Sequence, residues 1–165
     1  MTSTIVAATL TVTITEAVTL NGYDQGSSNV LSIPNINEVV KRIVTISTTE
    51  TGLLGFATAS STDLSKSYVA GQFDEDTVRY IRITNKDDTN HVMLTFRTEG
   101  SAEFAVMLDG GHSFIYCCDT LGGGGVVNTV DAHNAAQAHS LEDLVDITAD
   151  ADTASCDLEV FVASV

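Results

Sequence analysis

Val78-Arg79-Tyr80-Ile81-Arg82-Ile83-Thr84 is the stretch whose reading decides the fold. It is dense in β-branched and aromatic residues, which suit a pleated, half-buried surface. Strand alternation places Arg79, Ile81 and Ile83 on one face. A polar run from Asn85 to Asn90 follows, and its short polar side chains hydrogen-bond turn backbone locally. Beyond it, Val92, Leu94 and Phe96 alternate with Met93, Thr95 and Arg97, the period of a strand with one face in a core. Thr77 to Phe96 therefore reads as one β-hairpin. Phe104, Val106 and Leu108 alternate before Asp109-Gly110-Gly111, and Phe114 and Tyr116 come after, which extends the expectation to a β-meander.

Toward the amino terminus the same period recurs. In Thr9-Leu10-Thr11-Val12-Thr13-Ile14-Thr15, Leu10, Val12 and Ile14 are expected inward and four threonines outward, since threonine is β-branched yet polar. A kink is expected near Glu16, with Val18 and Leu20 beyond it. Asn21-Gly22 opens a turn or loop that runs to Ser28. Val30, Leu31 and Ile33 make a short strand stopped at Pro34. Glu38 to Thr48 reads as strand throughout, because Ile43 to Thr48 is nearly all β-branched. Gly52 to Ala57 is a further strand whose glycines permit a bulge. Ser60 to Lys66 is a polar connector, and Tyr68 and Phe73 lead into the central hairpin.

Toward the carboxyl terminus, four glycines at 122–125 make a loop, since each loses too much backbone freedom inside a regular element. Residues 128–143 form an irregular region with a helical turn from Ser140. Leu144, Val145 and Ile147 resume a strand, Asp150 to Thr153 turns, and Cys156, Leu158, Val160 and Val162 alternate as the last strand. The expected fold is all-β: an antiparallel β-sandwich, jelly-roll-like, of about eight to ten short strands. The 165 residues make one domain, 1–165, large enough to bury roughly 70% of its unfolded surface without a disulfide or metal staple.

The net charge is −15. Residues 1–97 hold 10 acids against all 7 Lys and Arg, a balance of −3, and residues 98–165 hold 12 acids and no cation, a balance of −12. That sign repels nucleic acid and anionic membrane, so neither is an expected partner. Cys117 and Cys118 are adjacent, where a bridge is strained, and Cys156 lies far along the chain. Free thiols in a reducing compartment are expected. The first residues lack a basic run and no segment reaches the ~18 apolar residues of a membrane span, so a soluble chain made in the cytoplasm is expected.

Candidate chemistry is sparse. His133 and His139, with Asp131 nearby, can offer three metal ligands, but their spacing fits neither a helical pair nor alternate strand positions. Exposed loop histidines are the plainer reading. Gly110-Gly111-His112 ahead of Phe114 is similar to a fragment of a cupin metal motif, yet the second histidine and the glutamate of that motif are missing, which leaves His112 as a turn residue. Asp146, Asp150, Asp152 and Asp157 can chelate Ca²⁺ or simply form a solvated acidic turn; the glycine and terminal glutamate of an EF-hand loop are not at their offsets. No nucleophile elbow, phosphate loop or CxxC pattern is present. No catalytic residue, resident cofactor or metal is expected. Arg79, Arg82 and Arg97 concentrate the positive charge, either as a docking patch for an acidic partner or as internal partners of acids.

Val78 to Asn85 and His91 to Phe96 resemble small virion structural proteins of tailed phages, most similar to those of marine and cyanobacterial podoviruses. Glu103 to Phe114, Asp143 to Ala149 and Cys156 to Val162 fit the same pattern, so the resemblance covers about half the chain. It implies a non-enzymatic jelly-roll-like module on the capsid surface. The implied role is a capsid decoration (knob) protein whose partner is the major capsid protein or another virion protein, with self-association a further option. The expected docking side is that of residues 1–97, with the more acidic half outward. The alternatives are a tail- or fibre-associated receptor- or glycan-binding module and, third, a metal-dependent jelly-roll enzyme.

Overall fold

The computed structural model describes residues 5–56, 73–74, 76–98, 103–117 and 144–165. The elements, in chain order, are β1 (Ala8–Glu16), β2 (Thr19–Leu20), β3 (Tyr23–Asp24), β4 (Ser27–Ile36), β5 (Glu38–Ile46), β6 (Thr51–Gly55), β7 (Val78–Asn85), β8 (Val92–Thr98), β9 (Glu103–Leu108), β10 (Ser113–Cys117), β11 (Leu144–Ala151) and β12 (Cys156–Ser164). There is no helix among the described residues, hence none long and apolar enough to cross a membrane.

The body is made by β5 to β12, in two four-stranded antiparallel sheets ordered β10-β7-β12-β5 and β6-β11-β8-β9. A simple rule generates both orders. β5 pairs with β12, β6 with β11, β7 with β10 and β8 with β9, so the chain is one long hairpin of four strand pairs with β8 and β9 at its bend. Rolling that hairpin up adds the pairings β7 with β12 and β8 with β11. The result is an eight-stranded double-sheet jelly roll. Only β8 and β9 are joined within a sheet; every other connection from β5 onward crosses between the two.

This topology overturns the hairpin expected over Thr77 to Phe96. β7 and β8 are both strands, but they lie in different sheets. The polar run between them is a crossing, pinned by Asn85, which is fully buried. Its Nδ2 donates to the carbonyls of Asn90 (2.9 Å) and Leu108 (3.1 Å), and its Oδ1 accepts from the Asp87 amide at 3.0 Å. Gly110 closes the same end. A Cβ there would stand 2.8 Å from the Asp87 carbonyl oxygen, so only glycine permits the approach. The expected meander likewise survives only at β8 and β9.

The two inner faces supply one core. From β12 come Cys156, Leu158, Val160 and Val162; from β8 Val92, Leu94 and Phe96; from β11 Ile147, Ala149 and Ala151. β6 carries the bulge its glycines allow: Ile147 faces Leu54 and Thr148 faces Gly52, so Leu53 is the extra residue and both leucines are buried. A second bulge corrects the parity read for β7. Ser164 faces Val78 and Ala163 faces Tyr80, which makes Arg79 the unpaired residue and takes it out of line with Ile81 and Ile83.

β1 and β4 form a separate two-stranded ribbon. Its register pairs Leu10 with Ile33, Val12 with Leu31 and Ile14 with Asn29 on one face, and Thr11 with Ser32, Thr13 with Val30 and Thr15 with Ser28 on the other. Pro34 does not stop β4 as expected. Ala8 faces Ile36 and Leu10 faces Ile33, so Pro34 and Asn35 share a bulge where no ladder amide is required of the proline, and Asn35 takes φ 65°. At the tip, Asn21 (φ 52°) and Gly22 (φ 81°) make the two-residue turn of the small β2–β3 hairpin, tighter than the loop expected to Ser28.

Candidate functional site

The three arginines of the expected docking patch are not brought together. Arg79 donates from Nη1 to the carbonyls of Asp76 (2.7 Å) and Val78 (3.1 Å) at the entrance to β7. Arg82 lies on the outer face of its sheet opposite Phe161 and Ile115. There its Nη2 donates to Glu159 at 2.5 Å, and Lys41 Nζ stands 3.2 Å from the other oxygen of that carboxylate. The hydrogen bond from Arg82, then that from Lys41, holds the Glu159 carboxyl below its usual range. Arg82 also donates to Thr84.

Arg97 lies in the other sheet, 13% exposed, and binds three carboxylates: Glu50, Glu103 at 2.7 Å and the fully buried Asp146 at 3.4 Å. Its Nη1 also donates to Thr148 at 2.9 Å. Burial works against the guanidinium charge, but the hydrogen bonds to Glu50 and Glu103 and the nearby Asp146 outweigh it and raise the pKa. Arg82 and Arg97 thus match the reading of internal partners for acids, on opposite sheets.

His133, His139 and Asp131, the candidate metal ligands, lie outside the described residues, as do Cys118, the 122–125 glycine loop, the connector 60–66, Tyr68 and the helical turn expected from Ser140. Among the described residues no three His, Cys, Asp or Glu gather as metal ligands. The aspartates read as a candidate Ca²⁺ site are apart in role: Asp146 is buried on Arg97, Asp150 sits within β11, and Asp157 Oδ1 accepts from Thr45 at 2.6 Å. His112 Nδ1 contacts the Gly110 carbonyl at 2.9 Å, inside the turn expected for it. Burial raises the pKa of both Cys117 and Cys156, the opposite of an activated thiolate.

The halves of unequal charge do not become two faces of the body either. Each sheet takes two strands from before residue 97 or spanning it and two from after, so the rolled hairpin interleaves them. What is segregated is the ribbon. Between Ala8 and Ile36 there are two acids, Glu16 and Asp24, and no Lys or Arg. The base of its apolar face is anchored: Ile33 and Ile36 are buried against Tyr80 and Ala163, with Leu10, Val12 and Phe161 packed around them. Toward the tip the contact is lost. Ile14 is 44% exposed, Leu20 62% and Tyr23 73%. Of the three residues expected inward on β1, only Leu10 and Val12 are half-buried; Ile14 is not covered.

A groove of about 300 Å³ runs between ribbon and body, with Leu10 to Ile14 on one wall and Tyr80, Arg82, Ile115 and Phe161 on the other. The groove is mixed in character, with aliphatic side chains and threonines of β1 facing two aromatic rings, Ile115 and Arg82, and the exposed ribbon carries two of the molecule's 22 acids. Alternation revealed β1 and β4, but nothing local says that a strand's apolar side will project beyond the sheet it packs on. The scarcity of charge from 8 to 36 was the one available signal. No protein-family model matches the chain, and comparison with curated proteins and with solved structures finds no match.

Proposed function

We propose that the chain is a non-enzymatic structural protein of a phage particle, a capsid decoration protein that docks on the major capsid protein lattice. The observation that carries this reading is the ribbon tip: Val18, Leu20 and Tyr23 stand exposed there, on a segment whose only charged residues from Ala8 to Ile36 are Glu16 and Asp24. Isolated surface leucines are ordinary, but Leu20 paired with Tyr23 across an exposed hairpin, with Val18 next to it in the chain, supports a protein–protein contact. Each such side chain taken from water contributes roughly 1.5–3 kcal/mol, and repetition over a lattice multiplies it. The tip replaces the arginine patch as the docking element, because Arg82 and Arg97 already serve carboxylates on opposite sheets. The acidic body then faces outward, where its charge keeps a crowded particle surface from self-adhesion. The resemblance of the strand-and-turn patterns to tailed-phage virion proteins supports the same reading.

Purified virions of the phage that carries this gene provide the test. Electron microscopy with a label on the chain is expected to find many copies on the head, and the double variant Leu20→Asp/Tyr23→Asp is expected to lose at least nine-tenths of that occupancy (about 1.4 kcal/mol or more). Absence of the wild-type chain from virions removes the reading. A second reading, a tail- or fibre-associated glycan-binding module, is favoured by Tyr23, whose exposed ring at the tip is free to stack on a sugar. Labelling confined to the tail, with glycan-array hits lost in Tyr23→Ala, selects it.

A further inference from the structure

Edges of sheets are templates for further pairing, and proteins blunt them with short strands, charges, prolines and bulges. Among the described residues the sheet edges follow that rule with one exception. β5 carries Glu38, Lys41 and Arg42; β6 and β10 are 5 residues long; β9 has 6 and begins with Glu103. In the ribbon, β4 is interrupted by Pro34 and the positive φ of Asn35. β1 has none of these protections. It runs 9 residues without Pro, Gly, Lys or Arg, its sole charge is Glu16 at the end, and β4 is its only partner among the described residues. Its other edge borders the open groove, with no described strand paired to it.

We propose that this edge pairs with β1 of a second copy of the same chain, antiparallel about a two-fold axis through Val12. Three observations select that occupant. The first is the sequence itself. Thr9-Leu10-Thr11-Val12-Thr13-Ile14-Thr15 has the same pattern of residue classes read in either direction. A two-fold on Val12 sets Val12 against its own copy, Thr11 against Thr13, Leu10 against Ile14 and Thr9 against Thr15. Threonines then pair with threonines on one face and aliphatic side chains with aliphatic ones on the other, the self-complementarity an isologous contact demands. A slip by one residue sets threonine against an aliphatic side chain at every position, so the register is specified.

The second is charge. Two copies at −15 each repel, and the ribbon, with 2 of the 22 acids, is where they approach at least cost. The third is strand number. A two-stranded ribbon is marginal in water, whereas three or more strands with an apolar face hold. Pairing makes a four-stranded sheet in the order β4-β1-β1-β4, with Leu10, Val12, Ile14 and Leu31 of both copies on one continuous face. This inference does not depend on the virion role. The docking tip lies beyond the paired strands, and the two surfaces are tested by different variants.

The test uses the full-length chain in sedimentation equilibrium and light scattering across micromolar concentrations at low salt. The wild type is expected to be a dimer. Thr11→Lys/Thr13→Lys sets like charges opposite each other twice and is expected to weaken dimerisation at least tenfold. Thr11→Lys/Thr13→Glu sets opposite charges opposite each other twice, because 11 faces 13 of the partner copy, and is expected to restore it. Both threonines are exposed, on the ribbon face opposite Leu10 and Val12, so both variants are expected to keep the far-UV circular dichroism of the folded body, and the melting temperature is expected to fall only in the variant that loses the dimer. A monomeric wild type overturns the proposal, and so does a dimer indifferent to the paired lysines. Equal loss in both double variants overturns the register about Val12.

Discussion

The jelly-roll body and the β1–β4 ribbon are built from the same alternation of apolar and polar residues, yet only one of them closes a core. In the body, inner faces from two sheets meet, and Leu158, Val160 and Leu94 have no exposed surface. In the ribbon, the equivalent side of β1 has a sheet beneath only its base, and Ile14 stays 44% exposed. Period-2 patterning thus marks which side of a strand is apolar. Whether that side is buried depends on what lies opposite, which is a property of topology. The body buries its apolar surface in a core, and the ribbon leaves part of its own exposed.

Three measurements sharpen or break that contrast, and the largest effect belongs to the body's polar anchor. Arg97→Ala removes the guanidinium shared by Glu50, Glu103 and the fully buried Asp146. Loss of one partner of a buried pair is expected to cost about 3–5 kcal/mol in urea unfolding; a change under about 1 kcal/mol would mean the cluster is solvated and dispensable. Next, Leu158→Ala should cost about 2–5 kcal/mol, because the residue is fully enclosed. Leu20→Ala in the ribbon should stay within about 0.5 kcal/mol. Comparable losses at the two sites would erase the distinction between body and ribbon.

The smallest expected effect is a pH dependence. Glu159 is held below its usual carboxyl range by Arg82 and Lys41, and Asp87 by the Asn90 amide and then the Thr89 amide. Both carboxylates are lowered on folding, so their contribution is present above the unfolded carboxyl pKa and is lost as pH falls through the folded value. Melting temperature is therefore expected to decline modestly on acidification below about pH 4.5. The Glu159→Gln variant should show a shallower decline; an identical slope would assign the acid sensitivity elsewhere.

Much of the strand content is legible in the sequence. β1 and β12 lie where alternation put them and β5 where β-branching did, because a strand's side-chain period is fixed by backbone geometry and survives whatever the strand pairs with; β11 runs two residues into the turn expected from Asp150. The bulge in β6 was foreshadowed by Gly52 and Gly55. Pro34 misled, since its missing amide matters only where the ladder needs one, and a bulge removes the need. The hairpin expected over Thr77 to Phe96 misled more, because a polar turn between two strands looks alike whether they pair or pass into different sheets. Asn85 carried the clue: a turn asparagine that is fully buried and holds three backbone groups marks a crossing.

By itself the sequence determined that this is an antiparallel all-β chain with a strong negative charge carried mostly by residues 98–165, because period, β-branching and charge are local quantities that add along the chain. Tertiary structure alone decided that β7 and β8 part into separate sheets, that Arg79, Arg82 and Arg97 form no common patch, and that the apolar side of β1 outruns its support. Those outcomes depend on which distant strand lies alongside, and the pairing of β5 with β12 or β7 with β10 is set by the energy of the whole rolled hairpin rather than by any residue within it.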